Sequence, residues 1–478
     1  MLITELEPAA VWRYFDRICQ IPHPSGYEAM LRRELELLAE DAGLVHRSDA
    51  AGNLRIDRPA APGYENRPRL ILQAHLDMVP QTDGASAIDL RCDPVRPLTD
   101  GRTIRADHTT LGADNGIGLA AALALLTDAG WRGGPLALLA TTEEETGLTG
   151  ALNVDPAFLD GDILLNLDSE QEGELFLGCA GGAQVAGQIP LETEPVPPAA
   201  VGRTLVVRGM KGGHSGLDID ATRGNALKIA LDILVAHPEC RIAAIDGGTL
   251  DNVIPRRCDC RIALPETGVA ALTAELADRT CRFKRQLDVM PDFALELEAA
   301  ELPARVWSDR SRAAILTALA GIPSGVIRRD PRLGSVESSS NLAVLASGDR
   351  ELQLKVMPRS SDNAERDAIV RAVGGMITAA GGRFVLGNAY PGWTPKPDSN
   401  PVRSAQKIHA ALFGRDPALK VIHAGLECGI FLEKNPKLAI LSFGPTIRNP
   451  HSPSELVEAE SVGRFYAFLR ELARNIEL

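Results

Sequence analysis

Residues 69–77, RLILQAHLD, constrain the fold of this chain more than any other stretch. A run of Leu and Ile leading into His-x-Asp reads as a strand covered on both faces, as in parallel sheets. Open α/β sheets hold their ligands at the carboxyl ends of such strands. Side chains alternate along a strand, so His75 and Asp77 share one face while Leu76 points the other way. An imidazole and a carboxylate on one face suit a metal ligand and the partner that orients it. A surface His beside a surface Asp would look the same in isolation, so the rest of the chain decides.

Two further apolar strands end in acids. Residues 135–141, PLALLAT, run into Glu143, Glu144 and Glu145, and residues 162–168, DILLNLD, end on Asp168. Adjacent carboxylates repel one another and are costly to bury unpaired, so the triple Glu needs solvent or cations. A solvated turn is the ordinary explanation for such a run. Here the run ends a strand, as His75 and Asp77 do. Between the first two strands lies a long loop, residues 78–110, rich in Asp and Thr. It closes in LGADNG ahead of a helical run at 119–126. Asp114 there is either an N-cap favoured by the helix dipole or an oxygen ligand held by a tight turn.

A chain of 478 residues exceeds one hydrophobic core, so two domains are expected. With 45% hydrophobic and 24% charged residues the composition is that of an ordinary globular protein, and the net charge of −13 argues against nucleic acid or anionic membrane as a partner. A small polar ligand suits it better. The N-terminal MLITELEPAAVWRYF lacks the basic start and apolar core of a signal peptide, and no apolar run approaches the roughly 18 residues that span a bilayer. The expected location is cytoplasmic. Eight cysteines lack a metal-binding spacing and read as reduced thiols.

Residues 8–20 and 27–43 carry apolar side chains at helical spacing around the turn IPHPSG, which contains His23. From 188 the Pro-rich IPLETEPVPPAAVG reads as a linker. Beyond it lie a strand, TLVVRG, the glycine-rich MKGGHSGLDI with His214, and then alternating helix and strand signals. A comparable series over 309–388 raises an internal duplication, and Arg359 follows its strand ELQLKV. A second Pro-rich crossing near 390 leads into a helix at 400–413, LKVIHAGLECGIF, KLAILSFG, a loop with His451, and an amphipathic helix at 459–475. The expected organisation is a catalytic domain made of residues 1–187 and 390–478, interrupted by an inserted lid, residues 188–389. The expected fold is α/β: a three-layer α/β/α catalytic domain with a mixed sheet, and a large α/β lid.

His75, Asp114, Glu145, Asp168 and His451 together form a mixed N/O donor set suited to zinc, with manganese or cobalt as alternatives. Five donors exceed what one open zinc site takes from a protein, and they suit two divalent ions if one carboxylate bridges. Two ions about 3.5 to 4 Å apart polarise a carbonyl and lower the pKa of a shared water. Glu144 would then be the general base, and Asp77 would clamp the His75 imidazole. Arg359 offers bidentate capture of a substrate carboxylate.

HLD, LGADNG, TEEETG, NLDSE and NPHSP, in this order and around an insertion, resemble the two-zinc aminopeptidase and dipeptidase superfamily with an inserted lid. Within it, GMKGGHSGLDI, NVIPR, HAGLECG and FGPTIRNPHSP resemble the aminoacyl-histidine dipeptidases, also called Xaa-His dipeptidases or bacterial carnosinases. The likeness runs nearly end to end. It implies that Asp114 bridges the metals and is followed by a cis peptide bond. It implies further that His75 and Asp168 hold one ion, that Glu145 and His451 hold the other, and that Glu144 is the base. His214 is implied as the lid histidine that stabilises the oxyanion, in its own subunit or across a homodimer. Arg359 and Asn252 are the candidates for substrate contact, with His423 and Glu427 lining the pocket. Ala74 and Gln171 depart from the residues common in the family, and neither is a proposed ligand.

The reaction expected is hydrolysis of dipeptides, Xaa-His and β-alanyl-histidine among them. An amidohydrolase that deacylates N-acyl amino acids and a non-catalytic peptide-binding relative stay open as alternatives.

Overall fold

The computed structural model describes residues 2–85 and 87–478. Met1 of the N-terminal stretch and Ser86 of the long loop lie outside the described residues. The chain divides into two compact units. Met1–Gly178, Pro395–Lys420 and Leu426–Leu478 form the first, and Cys179–Thr394 with Val421–Gly425 the second. No helix among the described residues is long and apolar enough to cross a membrane.

The strand Leu70–His75 lies in the middle of the first unit's eight-stranded mixed sheet. All six of its residues are buried, as the unbroken apolar run demands. Leu136–Thr141 and Ile163–Asn166 flank it in parallel, with His75 opposite Thr141 and Gln73 opposite Asn166. Ala439–Ser442 continues the parallel set, while Leu54–Arg58 pairs antiparallel on the other side. The tips bearing His75, Glu143–Glu145 and Asp168 therefore emerge side by side, because parallel strands in register end at one edge.

Alternation assigns the two faces. Leu70, Leu72 and Ala74 join the main core with Trp12, Phe15, Leu123 and Phe465. Gln73 lies on the other face, where it bonds Glu427 at the start of the helix Glu427–Lys434. Helices thus cover both faces, giving the three layers expected. The helix Ala113–Leu126 is buried along nearly its whole length, because the helix Ala9–Cys19 packs over it and the sheet lies beneath. Gly118 is needed there, since a Cβ would run into the Leu167 carbonyl.

The expected loop over residues 78–110 contains structure of its own. Pro97–Thr99 and Thr103–Ala106 form a hairpin, and the second of these strands pairs with Leu456–Glu458. That pairing docks the segment carrying His451 beside the segment leading to Asp114. A long stretch without internal bonds would leave its backbone groups unpaired, and a register formed with residues some 350 positions away has no local signal.

In the second unit, Ala200–Met210, the helix Ala226–Ala236, Arg241–Gly247, Cys258–Pro265, the helix Glu266–Gln286 and Val289–Ala299 make a βαββαβ module, its strands in the order fourth, first, third, second across the sheet. The same order recurs in Gly181–Pro190, the helix Asp309–Gly321, Leu342–Ser347, Glu351–Val356, the helix Asn363–Ala379 and Arg383–Tyr390. The modules join edge to edge where Gly247 pairs with Leu345. A duplication is present in topology, but its second copy opens at Gly181, not at 309, and the first copy is nested inside it. Ile189 and Pro190 end a strand of this sheet, so the Pro-rich stretch from 188 connects strands within the unit.

Candidate metal centre

His75 ends its strand with a side chain 1% exposed. Its Nδ1 lies 2.9 Å from the Asp77 carbonyl oxygen and 3.4 Å from the Asp77 carboxylate. The nearer Asp77 partner of the ring is thus main chain rather than the side chain expected to clamp it. With Nδ1 so engaged, Nε2 faces outward, 3.2 Å from Asp114 Oδ1 and 3.3 Å from Asp168 Oδ1. The other Asp114 oxygen, Oδ2, lies 3.2 Å from His451 Nε2, which is 2.9 Å from Glu145 Oε1. The two Asp114 oxygens thus face two different groups of donors. Ligand atoms of His75, Asp114 and Asp168 lie within 4.8 Å of one another, and so do those of Asp114, Glu145 and His451. A third such group joins His75, Glu144 and Glu145.

The backbone holds these side chains in position. Gly112 takes the left-handed conformation before the helix Ala113–Leu126, the bond from Asp114 to Asn115 is cis, as the resemblance implied, and Asn115 Nδ2 donates to Asp168. Asp114 is not the N-cap of its helix. That work falls to Glu455, whose carboxylate accepts from the main-chain N–H groups of residues 111–114. Asp77 organises the glutamate turn, since its two oxygens accept from Glu144 N at 3.0 Å and Glu145 N at 3.2 Å, and Ser25 adds a third donor. Glu28 accepts from Glu143 N, so three successive N–H groups end on two buried carboxylates. His451 sits at φ +58°, a sparsely populated conformation for a residue with a side chain.

Five carboxylates, those of Asp77, Asp114, Glu144, Glu145 and Asp168, surround two imidazoles. Burial disfavours a charged His75, but Asp168, Asp114 and Asp77 hold its pKa well above the imidazole range. The nearby Asp114 and Glu145 carboxylates raise His451 to about 10. Burial lifts Asp168 to about 6 and raises Glu144 well above the carboxylate range, with Asp168, Glu427 and Glu145 adding repulsion. The excess negative charge is what divalent cations would neutralise. Glu145 Oε1, although close to His451 Nε2, has no hydrogen-bond geometry, as befits two atoms aimed at a common point. Imidazole and carboxylate together suit zinc, manganese or cobalt.

One residue pair deeper, Gln73, Thr141 and Asn166 form a polar layer inside apolar strands, marked in the sequence only by the polar residues themselves. Gln73 Nε2 donates to Glu427 Oε2 at 2.6 Å, Thr141 Oγ1 donates to the same oxygen at 3.0 Å, and Asn166 donates to Gln73. Glu427 is 1% exposed and belongs to this layer, with burial raising its pKa to about 8.

The remaining candidates lie in the second unit. His214 Nδ1 accepts from Gly216 N and Leu217 N, so the ring proton resides on Nε2, and burial together with Arg359 lowers the pKa. Arg359 is buried against hydroxyls. Its Nη1 donates to Tyr390 Oη at 2.6 Å, and Ser215 Oγ lies 3.4 Å from Nε and Nη2. His423 Nε2 meets Ser339 Oγ at 2.7 Å, and burial lowers its pKa to about 4. Asn252 is exposed, and its carbonyl accepts from Ser215 N.

Residues 71–475 match the model of peptidase family M20/M25/M40. The chain belongs to this family. As a member it is a hydrolase acting on peptide bonds. It is 38% identical over 479 residues to the cytosol non-specific dipeptidase of Escherichia coli strain K12, with 99% of each chain covered. Among solved structures it resembles the aminoacylhistidine dipeptidase of Vibrio alginolyticus, with a TM-score of 0.93 and 38% identity over 100% of this chain and 99% of that one. A tripeptidase from Staphylococcus aureus, 17% identical over 98% of both chains with a TM-score of 0.60, shares the fold.

Proposed function

We propose that the chain is a cytoplasmic, metal-dependent dipeptidase whose substrates include Xaa-His dipeptides such as β-alanyl-histidine. The observation that carries this reading is the sharing of Asp114 between two donor groups, with Glu144 grouped with one member of each, His75 and Glu145. The names of the Escherichia coli and Vibrio alginolyticus proteins support the substrate class.

His75 and Asp168 would hold one divalent ion, Glu145 and His451 the other, and Asp114 both, with zinc the expected metal and manganese or cobalt able to replace it. Bound there, the pair supplies Lewis acidity toward the scissile carbonyl and toward water. Glu144 takes a proton from the attacking water and returns it to the leaving nitrogen. His214, a neutral ring with its proton on Nε2, donates to the developing oxyanion, from the same chain or from a second copy in a homodimer. Arg359 binds the substrate carboxylate, with Asn252 as a second contact and His423 lining the pocket. Asp77 keeps His75 and the glutamate turn in place. Residues 188–389 are assigned as the inserted lid.

The test is hydrolysis of β-alanyl-histidine, an α-aminoacyl-histidine, a dipeptide without His and an N-acetyl amino acid, each with zinc, with manganese and with chelator. Chelator-sensitive cleavage that favours the His dipeptides is the expected result. Equal cleavage of all dipeptides removes the preference for His. Cleavage of the N-acetyl amino acid alone overturns the dipeptidase reading.

A further inference from the structure

We propose that Glu455 is a positioning residue that sets the bridging Asp114 and ties its turn to the loop carrying His451; this rests on the metal centre proposed above. Glu455 is 2% exposed. Oε2 accepts from Leu111 N at 2.8 Å and Gly112 N at 3.0 Å, and Oε1 from Ala113 N at 2.8 Å and Asp114 N at 3.3 Å. Four successive N–H groups converge because Gly112, at φ +69°, turns the chain into a concave nest at the amino end of the helix Ala113–Leu126. Those donors would otherwise be unpaired and buried.

Glu455 stands four residues after His451 and immediately before the strand Leu456–Glu458, which is registered against Thr103–Ala106. One carboxylate thus joins the segment presenting Asp114 to the segment presenting His451, and a shift of either would move one donor relative to the other. A helix cap alone needs only one or two acceptor bonds from a Ser, Asp or Asn. Here both oxygens are used and the acceptor comes from a distant part of the chain. Glutamine would set an amide donor against two of the four N–H groups.

The test uses Glu455→Gln and Glu455→Asp in the full chain. Metal-stripped protein is titrated with zinc, metal content is counted after dialysis, and kcat and KM for a dipeptide are measured on reloaded enzyme. The positioning role predicts a 10- to 100-fold loss of metal affinity. It also predicts a lower kcat at saturating metal, with KM changed by no more than about twofold. Glu455→Asp, which keeps the charge and is shorter by one methylene, provides a folded variant if Glu455→Gln fails to fold. A folded variant with wild-type metal affinity and kcat overturns the inference and leaves a plain cap, even if its metal-free melting temperature falls. Wild-type protein that binds no metal overturns both the proposed centre and this inference.

Discussion

Gln73 donates to Glu427 at 2.6 Å two residues before His75, on the same face of the same strand. The bond reveals a polar layer beneath the candidate metal centre, and the layer carries a proton. Glu427 has its pKa raised from 4.5 to about 8, first by burial and then by repulsion from Asp168. In metal-free protein the folded state therefore holds this proton between pH 4.5 and 8, while the unfolded state loses it. Stability then falls as pH rises through that window, by up to about 1.4 kcal/mol per pH unit from this group, and levels off above it. Glu427→Gln keeps an acceptor for Gln73 and Thr141 and cannot ionise. Its metal-free form is expected to melt above wild type at pH 8, with the difference closing toward pH 4.5. Calorimetry across that range checks it, and a gap that does not vary with pH would sink the argument.

Asp77 accepts from the main-chain N–H groups of both Glu144 and Glu145. Asp77→Asn sets an amide donor against at least one of them and loosens the turn that carries two carboxylates of the centre. We expect metal affinity to fall by about 10- to 100-fold. Burial opposes the charge on Asp77, yet His75, Ser25 and the Glu144 N–H bring its pKa from 3.8 down to about 2. In metal-free protein its contribution to stability is present above pH 3.8 and is lost as pH falls toward 2. It amounts to about 2 kcal/mol. Denaturant titrations of the variant and wild type at pH 6 and pH 2.5 should therefore differ by less at the lower pH.

Glu144 belongs to only one of the three donor groups, and its pKa is raised well above the carboxylate range. If it moves the proton of the attacking water, Glu144→Gln should lower kcat by about 10²- to 10⁴-fold while leaving metal content at the wild-type level. Steady-state kinetics paired with metal analysis separates this from a ligand role. Loss of metal from the variant would reassign Glu144 to holding an ion.

The candidate donors were legible because each follows an apolar strand or a compact motif: HLD, ADNG, EEET, NLD and NPHSP. What supports them was not. Gln73 and Asn166 lie within apolar strands, and their only mark is an amide at a position where burial demands a partner. Glu455 read as part of a polar turn, and the groups it caps lie 341 to 344 residues earlier. The strand pairing that folds the loop over 78–110 is long-range in the same way. The nested duplication was half visible, because local signals reveal helices and strands but not which distant strand, here Gly181–Pro190, completes a module.

Arg359 is 2% exposed and is hydrogen-bonded to the neutral hydroxyls of Tyr390 and Ser215. A buried guanidinium satisfied only in part by hydroxyls favours an anion, and a dipeptide supplies one at its carboxyl end. Lysine would keep the charge but lose the fork that meets both carboxylate oxygens and the bond to Tyr390 together. Arg359→Lys should therefore raise KM for a dipeptide by about 10- to 100-fold, the value of one or two charge-assisted hydrogen bonds, with a smaller change in kcat. A dipeptide amide, which lacks the carboxylate, should be cleaved poorly by wild type and no worse by the variant. Equal KM values for variant and wild type on the free dipeptide would place the carboxylate elsewhere.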